Sequence, residues 1–192
     1  AILVKKNTLI SNEIIKKNKK KINSKSLTRS SFIEVLVKCI NNNYKIISST
    51  GYLSRELYNK IKTHKLKINP FYMVGGMGHS STVSLGYSIK SNKKVICLDG
   101  DGSFLMHLGS AISISRYSKN NFKYILLNNR SHESVGGQTT NIENIDLRLF
   151  VKSIGYKKYY HLSKKEKTLK TLKSFLKNDG SAFLEVDIEI NK

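Results

Sequence analysis

Two apolar runs limit what this chain can fold into more than any other feature. KKVICLDG (93–100) and NFKYILLNN (121–129) are each one strand long and apolar on successive residues rather than alternate ones. A strand with one wet face alternates; a strand covered on both faces does not. Between them, SFLMHLGSAISISRYS (103–118) reads as a helix. Strand, helix and strand in that order form a crossover unit whose strands run parallel.

The same alternation fills the chain from Thr28 onward. TRSSFIEVLVKCINN has Thr28 as a helix cap, with Phe32, Val35, Leu36, Cys39 and Ile40 at helical spacing. KIISST (45–50) is a short strand. GYLSRELYNKIK (51–62) is a helix with Leu53, Leu57 and Ile61 on one side. FYMV (71–74) is a strand after Pro70, and HSSTVSLGYSIK (79–90) is a helix with small residues on one face. SHESVGGQTTN (131–141) lacks periodicity and reads as a loop. IDLRLFVKSIG (145–155) and KKEKTLKTLKSFLKN (164–178) are helices; YKKYYHLS (156–163) and SAFLEVDIEI (181–190) are strands. The expected fold is α/β, a doubly wound, mostly parallel sheet with helices on both faces.

With 192 residues the chain suits one domain better than two. The expected division is 1–27, the end of a preceding domain plus a basic linker, and 28–192, a single sheet domain. AILV at the start reads as a strand that begins before Ala1, so a piece of a longer chain is expected. Lys5 to Lys25 is dense in Lys and Asn and reads as a solvated connector. No run reaches the roughly 18 consecutive apolar residues of a membrane span. Cys39 and Cys97 lie in apolar runs and read as two buried thiols, which favours a cytoplasmic location. The net charge of +21 raises the question of nucleic acid, but 29 lysines stand against 5 arginines. Base and phosphate recognition leans on the arginine fork, so the charge reads as a lysine-rich coat, and no nucleic-acid partner is expected.

In parallel sheets ligands gather at the carboxyl ends of strands. Three polar or glycine-rich loops follow strands here: GGMGHSS (75–81), GDGS (100–103) and NNRSHESVGGQ (128–138). In GDGS, Gly100 and Gly102 permit a sharp turn and close approach, Asp101 offers a hard oxygen, and Ser103 opens a helix whose amides suit a phosphate. A carboxylate beside a phosphate suggests magnesium. Twenty-five residues separate Gly102 from Asn128, which with Asn129 stands at the end of the neighbouring strand. An amide oxygen there can complete a cation's shell without adding charge. Taken alone, GDGS could be an ordinary strand-to-helix turn with Asp101 as cap.

GDG and NN with this filling resemble the diphosphate-binding motif of thiamine-diphosphate-dependent enzymes. The resemblance implies that Asp101 and Asn129 coordinate Mg2+ through side chains and Ser131 through its backbone carbonyl. Asn128 would support the turn, and the Gly102 and Ser103 amides would hold the diphosphate. More narrowly, STGYLSREL (49–57), VGGMGHSSTVSLG (74–86), GDGSFLMHLGS (100–110) and LNNRSHESVGGQ (127–138) look like the phosphonopyruvate decarboxylases, with sulfopyruvate decarboxylases as near relatives. Four positions depart from that pattern. Gly76 stands for Ser, Arg130 for Gly, Glu133 for Asp and Thr139 for Pro.

By the resemblance, Gly76 and Met77 belong to the cofactor's surroundings. Met77 would prop the cofactor into a bent shape; otherwise it is a flexible gap-filler. His79 and His132 would bind the substrate's phosphonate or sulfonate group or move protons; otherwise they brace their loops. His107 reads as packing, His64 and His161 as surface or strand residues, and Arg55 as a partner of Glu34 or Glu56 or else of an anionic substrate. The implied reaction is decarboxylation of a 2-oxo acid, phosphonopyruvate giving phosphonoacetaldehyde and CO2, with sulfopyruvate or another 2-oxo acid as alternative. The family's activating glutamate sits on a separate pyrimidine-binding domain or subunit, and nothing in this sequence corresponds to it. A homo- or hetero-oligomer is therefore expected, with these 192 residues inactive alone. A basic nucleic-acid module, or a degenerate subunit that only supports a partner, are the contrasting readings. The second would need a broken GDG or NN, and both are intact.

Overall fold

The computed structural model describes residues 26–190, so AILV and Lys5 to Lys25 lie outside the described residues. In chain order the elements are α1 (Arg29–Cys39), β1 (Tyr44–Ser48), α2 (Tyr52–Thr63), β2 (Phe71–Tyr72), α3 (Ser80–Lys90) and β3 (Lys94–Gly100). Then follow α4 (Asp101–Met106), α5 (Ser110–Tyr117), β4 (Phe122–Asn128), α6 (Leu147–Ser153), β5 (Lys158–Leu162), α7 (Thr168–Lys177) and β6 (Ala182–Asp187). The six strands form one sheet in the order β2-β1-β3-β4-β6-β5, every pairing parallel.

Strand residues alternate between two cores, as a pleat demands. Ile96, Leu98, Ile125, Leu127 and Leu184 face Phe32 and Leu36 of α1, Leu57 of α2 and Phe175 of α7. Val95, Cys97, Tyr124, Leu126 and Phe183 face Phe104 of α4, Ile114 of α5 and Val151 of α6. Both faces are thus covered, which explains the unbroken apolar runs. Thr28 caps α1: its hydroxyl accepts from the Ser31 amide at 3.1 Å, and Ser31 Oγ accepts from the Thr28 amide at 3.1 Å. Asp146 caps α6 through the Leu149 amide at 2.9 Å. Both cysteines are free. Among the described residues no helix is long and apolar enough to cross a membrane.

Two sequence expectations are corrected. The helix expected over 103–118 is two helices. It begins at Asp101, stops at Met106, turns through His107–Gly109 and restarts at Ser110. Gly109 weakens a helix interior, and the break swings His107 against Gly78, where a Cβ would lie 2.3 Å from the ring. The strand expected over 71–74 is only Phe71–Tyr72, although the Met73 amide still donates to Ser48 O at 2.9 Å. Gly75, at φ 73°, takes a left-handed turn that no strand continues.

The order of the strands opens the site. After β1 the chain turns to α2 on one face; after β3 it turns to α4 and α5 on the other. Two adjacent strands whose following loops leave in opposite directions create a crevice between them.

Candidate cofactor site

That crevice is lined by Ser49, Thr50 and Tyr52 after β1, by Gly100, Asp101, Gly102 and Ser103 after β3, and by Asn129, Ser131, His132 and Glu133 after β4. Met77 reaches it from the glycine-rich loop and Arg29 from α1. Gly100 pairs with Leu127 in register, which sets the GDG turn beside the NN turn.

Asp101 is 3% exposed. Its Oδ2 accepts a hydrogen bond from Thr140 Oγ1 at 2.6 Å. Burial pushes its carboxyl above the usual range, while the Thr140 hydroxyl pulls the other way. No ion pair among the described residues involves it. At Gly102 a Cβ would lie 2.6 Å from His132 Nδ1 and 3.4 Å from Met77 Cε, so only glycine lets those two side chains close over the turn. Ser103 Oγ accepts from the Gly78 amide at 3.0 Å, tying the GDGS loop to the glycine-rich loop.

The NN turn is held through its side chains. Asn128 Oδ1 accepts from the Arg130 amide at 3.2 Å, and its Nδ2 donates to Glu185 Oε1 at 2.8 Å. This is the turn-supporting part expected of it. Asn129 Oδ1 accepts from the Ser131 amide at 3.0 Å, and its Nδ2 donates to Glu133 Oε2 at 2.9 Å. Arg130 sits at φ 58°, in the left-handed region, which accounts for glycine in the resembled pattern. Ser131 Oγ is buried and has no hydrogen-bond partner among the described residues.

Most of the expected site residues therefore converge, and two do not. Gly76 is outside the pocket lining; a Cβ there would meet Met73 Cε at 2.7 Å. His79 is also outside it. It is exposed, and its ring lies 4.2 Å from that of His107. Arg29 and Thr140 join the site without a sequence signal, and Tyr52 joins it from within the 49–57 stretch quoted above. The expected partner of Glu34 or Glu56 is corrected as well. Glu34 bonds Lys38, Lys60 and His64, Glu56 takes the Nε of Arg29, and Arg55 forms no ion pair among the described residues, its guanidinium lying 5.7 Å from the centre of the Tyr52 ring.

Residues 49–186 match the family described as thiamine pyrophosphate enzyme, C-terminal TPP binding domain. The chain belongs to this family. This thiamine pyrophosphate domain is 33% identical over 161 residues to phosphonopyruvate decarboxylase from Streptomyces viridochromogenes, covering 84% of this chain and 40% of that protein. It is 37% identical over 113 residues to sulfopyruvate decarboxylase subunit beta from Methanothermobacter thermautotrophicus, covering 58% of each. The chain thus spans about two-fifths of the length of the phosphonopyruvate decarboxylases it matches. Among solved structures, 2-oxoglutarate:ferredoxin oxidoreductase from Magnetococcus marinus superposes with a TM-score of 0.69 at 17% identity, over 85% of this chain and 63% of that one. The fold is what that pair shares.

Thiamine diphosphate is the cofactor of the family, and the pocket's chemistry suits it and a divalent ion. A buried carboxylate without a bonded cation, a turn amide and a partnerless buried hydroxyl share one crevice. Oxygen donors of this kind suit a hard cation. The glycine floor leaves open space above Gly100.

Proposed function

We propose that this domain supplies the metal–diphosphate half of a thiamine-diphosphate-dependent 2-oxo acid decarboxylase, with phosphonopyruvate as substrate and phosphonoacetaldehyde and CO2 as products. The observation that carries the reading is Asp101: a buried carboxylate, bonded by the Thr140 hydroxyl, paired with no cationic side chain among the described residues and opening onto the same crevice as Asn129 and Ser131. Asp101 and Asn129 would hold Mg2+ through their side chains and Ser131 through its carbonyl. The Gly102 and Ser103 amides at the start of α4 would face the diphosphate.

Bound there, thiamine diphosphate would supply a nucleophilic ring carbon and an electron sink for loss of CO2. The chain's own residues would do the rest. Met77, whose Cε approaches Gly102, would brace the cofactor against the floor of the crevice. His132, which lines the crevice above Gly102, is placed to bind an anionic group or pass a proton at its ring nitrogen. His79 is exposed and outside the lining of the crevice, and no role is assigned to it.

Two facts support a missing half. The chain spans two-fifths of its phosphonopyruvate decarboxylase relatives, and the sulfopyruvate relative is named as a beta subunit. A pyrimidine-binding domain or subunit carrying the activating glutamate would complete the site in a homo- or hetero-oligomer. The second reading, sulfopyruvate as substrate, is favoured by the 37% identity to that subunit. Steady-state rates of the complete enzyme on phosphonopyruvate, sulfopyruvate and pyruvate decide between them. The highest kcat/KM is expected for phosphonopyruvate, and none is expected for the 192 residues alone. Turnover by the isolated chain would refute the half-site reading.

Met77→Ala is expected to lower kcat about tenfold or more while the affinity for Mg2+ and thiamine diphosphate changes less than about threefold, as for an interaction expressed in the reacting geometry. Stopped-flow turnover and calorimetry measure the two. Equal losses in both would make Met77 a packing residue.

A further inference from the structure

We infer that Arg29 and Glu133 form a clamp that fixes which way the Asn129 amide faces, and so presents its oxygen, not its nitrogen, to the cation. The inference rests on the reading above in which Asn129 is a metal ligand. A side-chain amide can sit two ways, and only its oxygen can ligate a hard ion. Two contacts select the same orientation here. The Glu133 carboxylate, which can only accept, takes Asn129 Nδ2 at 2.9 Å. The Ser131 amide, which can only donate, reaches Asn129 Oδ1 at 3.0 Å. That bond uses one lone pair of Oδ1 and leaves a second for an ion.

Glu133 is itself held. The same Oε2 accepts from Arg29 Nη1 at 2.8 Å, and Arg29 Nε donates to Glu56 Oε1 at 2.8 Å. The guanidinium is 5.5 Å from the centre of the Tyr52 ring. Arg29 is 6% exposed, so its fork is held from several sides and cannot swing away freely. Its charge has a second use. A bare Glu133 carboxylate beside Asn129 would compete for the cation or repel a diphosphate; pairing with Arg29 removes that competition. Arg29 precedes the 49–186 span of the family match and reaches the site from α1. The departure from the resembled pattern at Glu133 therefore serves the metal turn. Its carboxylate is spent on Asn129 and Arg29.

The test uses the complete enzyme and two probes, Mn2+ binding read by electron paramagnetic resonance and calorimetry of thiamine diphosphate at fixed Mg2+. Glu133→Ala and Arg29→Met are each expected to weaken metal affinity by about 10- to 100-fold, the range for residues that orient a ligand. The double variant should lose little more than the worse single one, because both act through one amide. Glu133→Gln, which keeps a carbonyl acceptor, should recover part of the loss. Wild-type metal affinity in Glu133→Ala, with only its melting temperature lowered, overturns the clamp while leaving Asn129 a ligand. If either variant fails to fold, Glu133→Leu or Arg29→Leu replaces it, since neither can hold the Asn129 amide or the Glu133 carboxylate by a hydrogen bond, and unchanged Mn2+ affinity there overturns the clamp equally. Absence of any metal-dependent cofactor binding in the wild type would remove the underlying reading and the clamp together.

Discussion

Asp101→Asn is expected to abolish magnesium-dependent binding of thiamine diphosphate and, in the same experiment without cofactor, to leave the protein more stable at neutral pH than the wild type. Losing residues that merely orient a metal ligand costs about 10- to 100-fold in affinity, so removing the ligand's charge should cost at least about 100-fold. Stability moves the opposite way because of burial. Asp101 is 3% exposed, and burial raises its carboxyl above the ordinary value. A raised acid is penalised only where it is ionised. Below the unfolded value both states are neutral and no penalty exists; as pH rises through the folded value, stability falls, and the deficit persists at neutral pH. Asparagine keeps an oxygen for the Thr140 hydroxyl and never ionises. Urea unfolding of cofactor-free protein between pH 4 and 7 should show the wild type weakening as pH rises and Asp101→Asn changing less. Calorimetry showing near-wild-type cofactor affinity in Asp101→Asn would end the metal assignment.

Phe183→Ala is expected to destabilise the domain by about 3–5 kcal/mol, the usual range for deleting a buried aromatic ring. Phe183 is fully buried near the start of β6. Its ring stacks on Tyr124 at 4.8 Å and meets the rings of Phe104, Tyr156 and Tyr159 within 6.3 Å. Against a total stability of about 5–15 kcal/mol such a loss threatens folding itself. It should also reach the site. Tyr124 donates to Asp99 Oδ2 at 2.7 Å, and Asp99 Oδ1 accepts from the Gly100 amide at 2.9 Å, directly before the GDG turn's Asp101. The midpoint of the domain's urea transition measures the effect. A loss below about 1 kcal/mol would mean that the aromatic cluster closes over the gap.

Much of the candidate site's convergence was legible because its signals are local. Gly100, Asp101 and Gly102 end one strand and Asn129 ends the next, so crossover geometry alone brings them together. The glycine at 102 was legible as a close approach, though not that His132 and Met77 make it. His79 and His132 looked equivalent in sequence, each a histidine in a loop after a strand. His132 lines the crevice, and the ring of His79 lies tilted against that of His107 outside it. The break that places His107 depends on packing against Gly78, which no periodicity records.

The sequence by itself determined the parallel sheet, the faces each strand buries, and the pairing of a carboxylate turn with an amide turn at one edge. These follow from residue spacing within and between consecutive elements. Only the tertiary structure decided that Arg29, 104 residues from Glu133, closes the site from the first described helix, and that Thr140 holds the carboxylate. Such pairings depend on how distant elements pack, and a single charged or hydroxyl side chain carries no spacing that announces its partner.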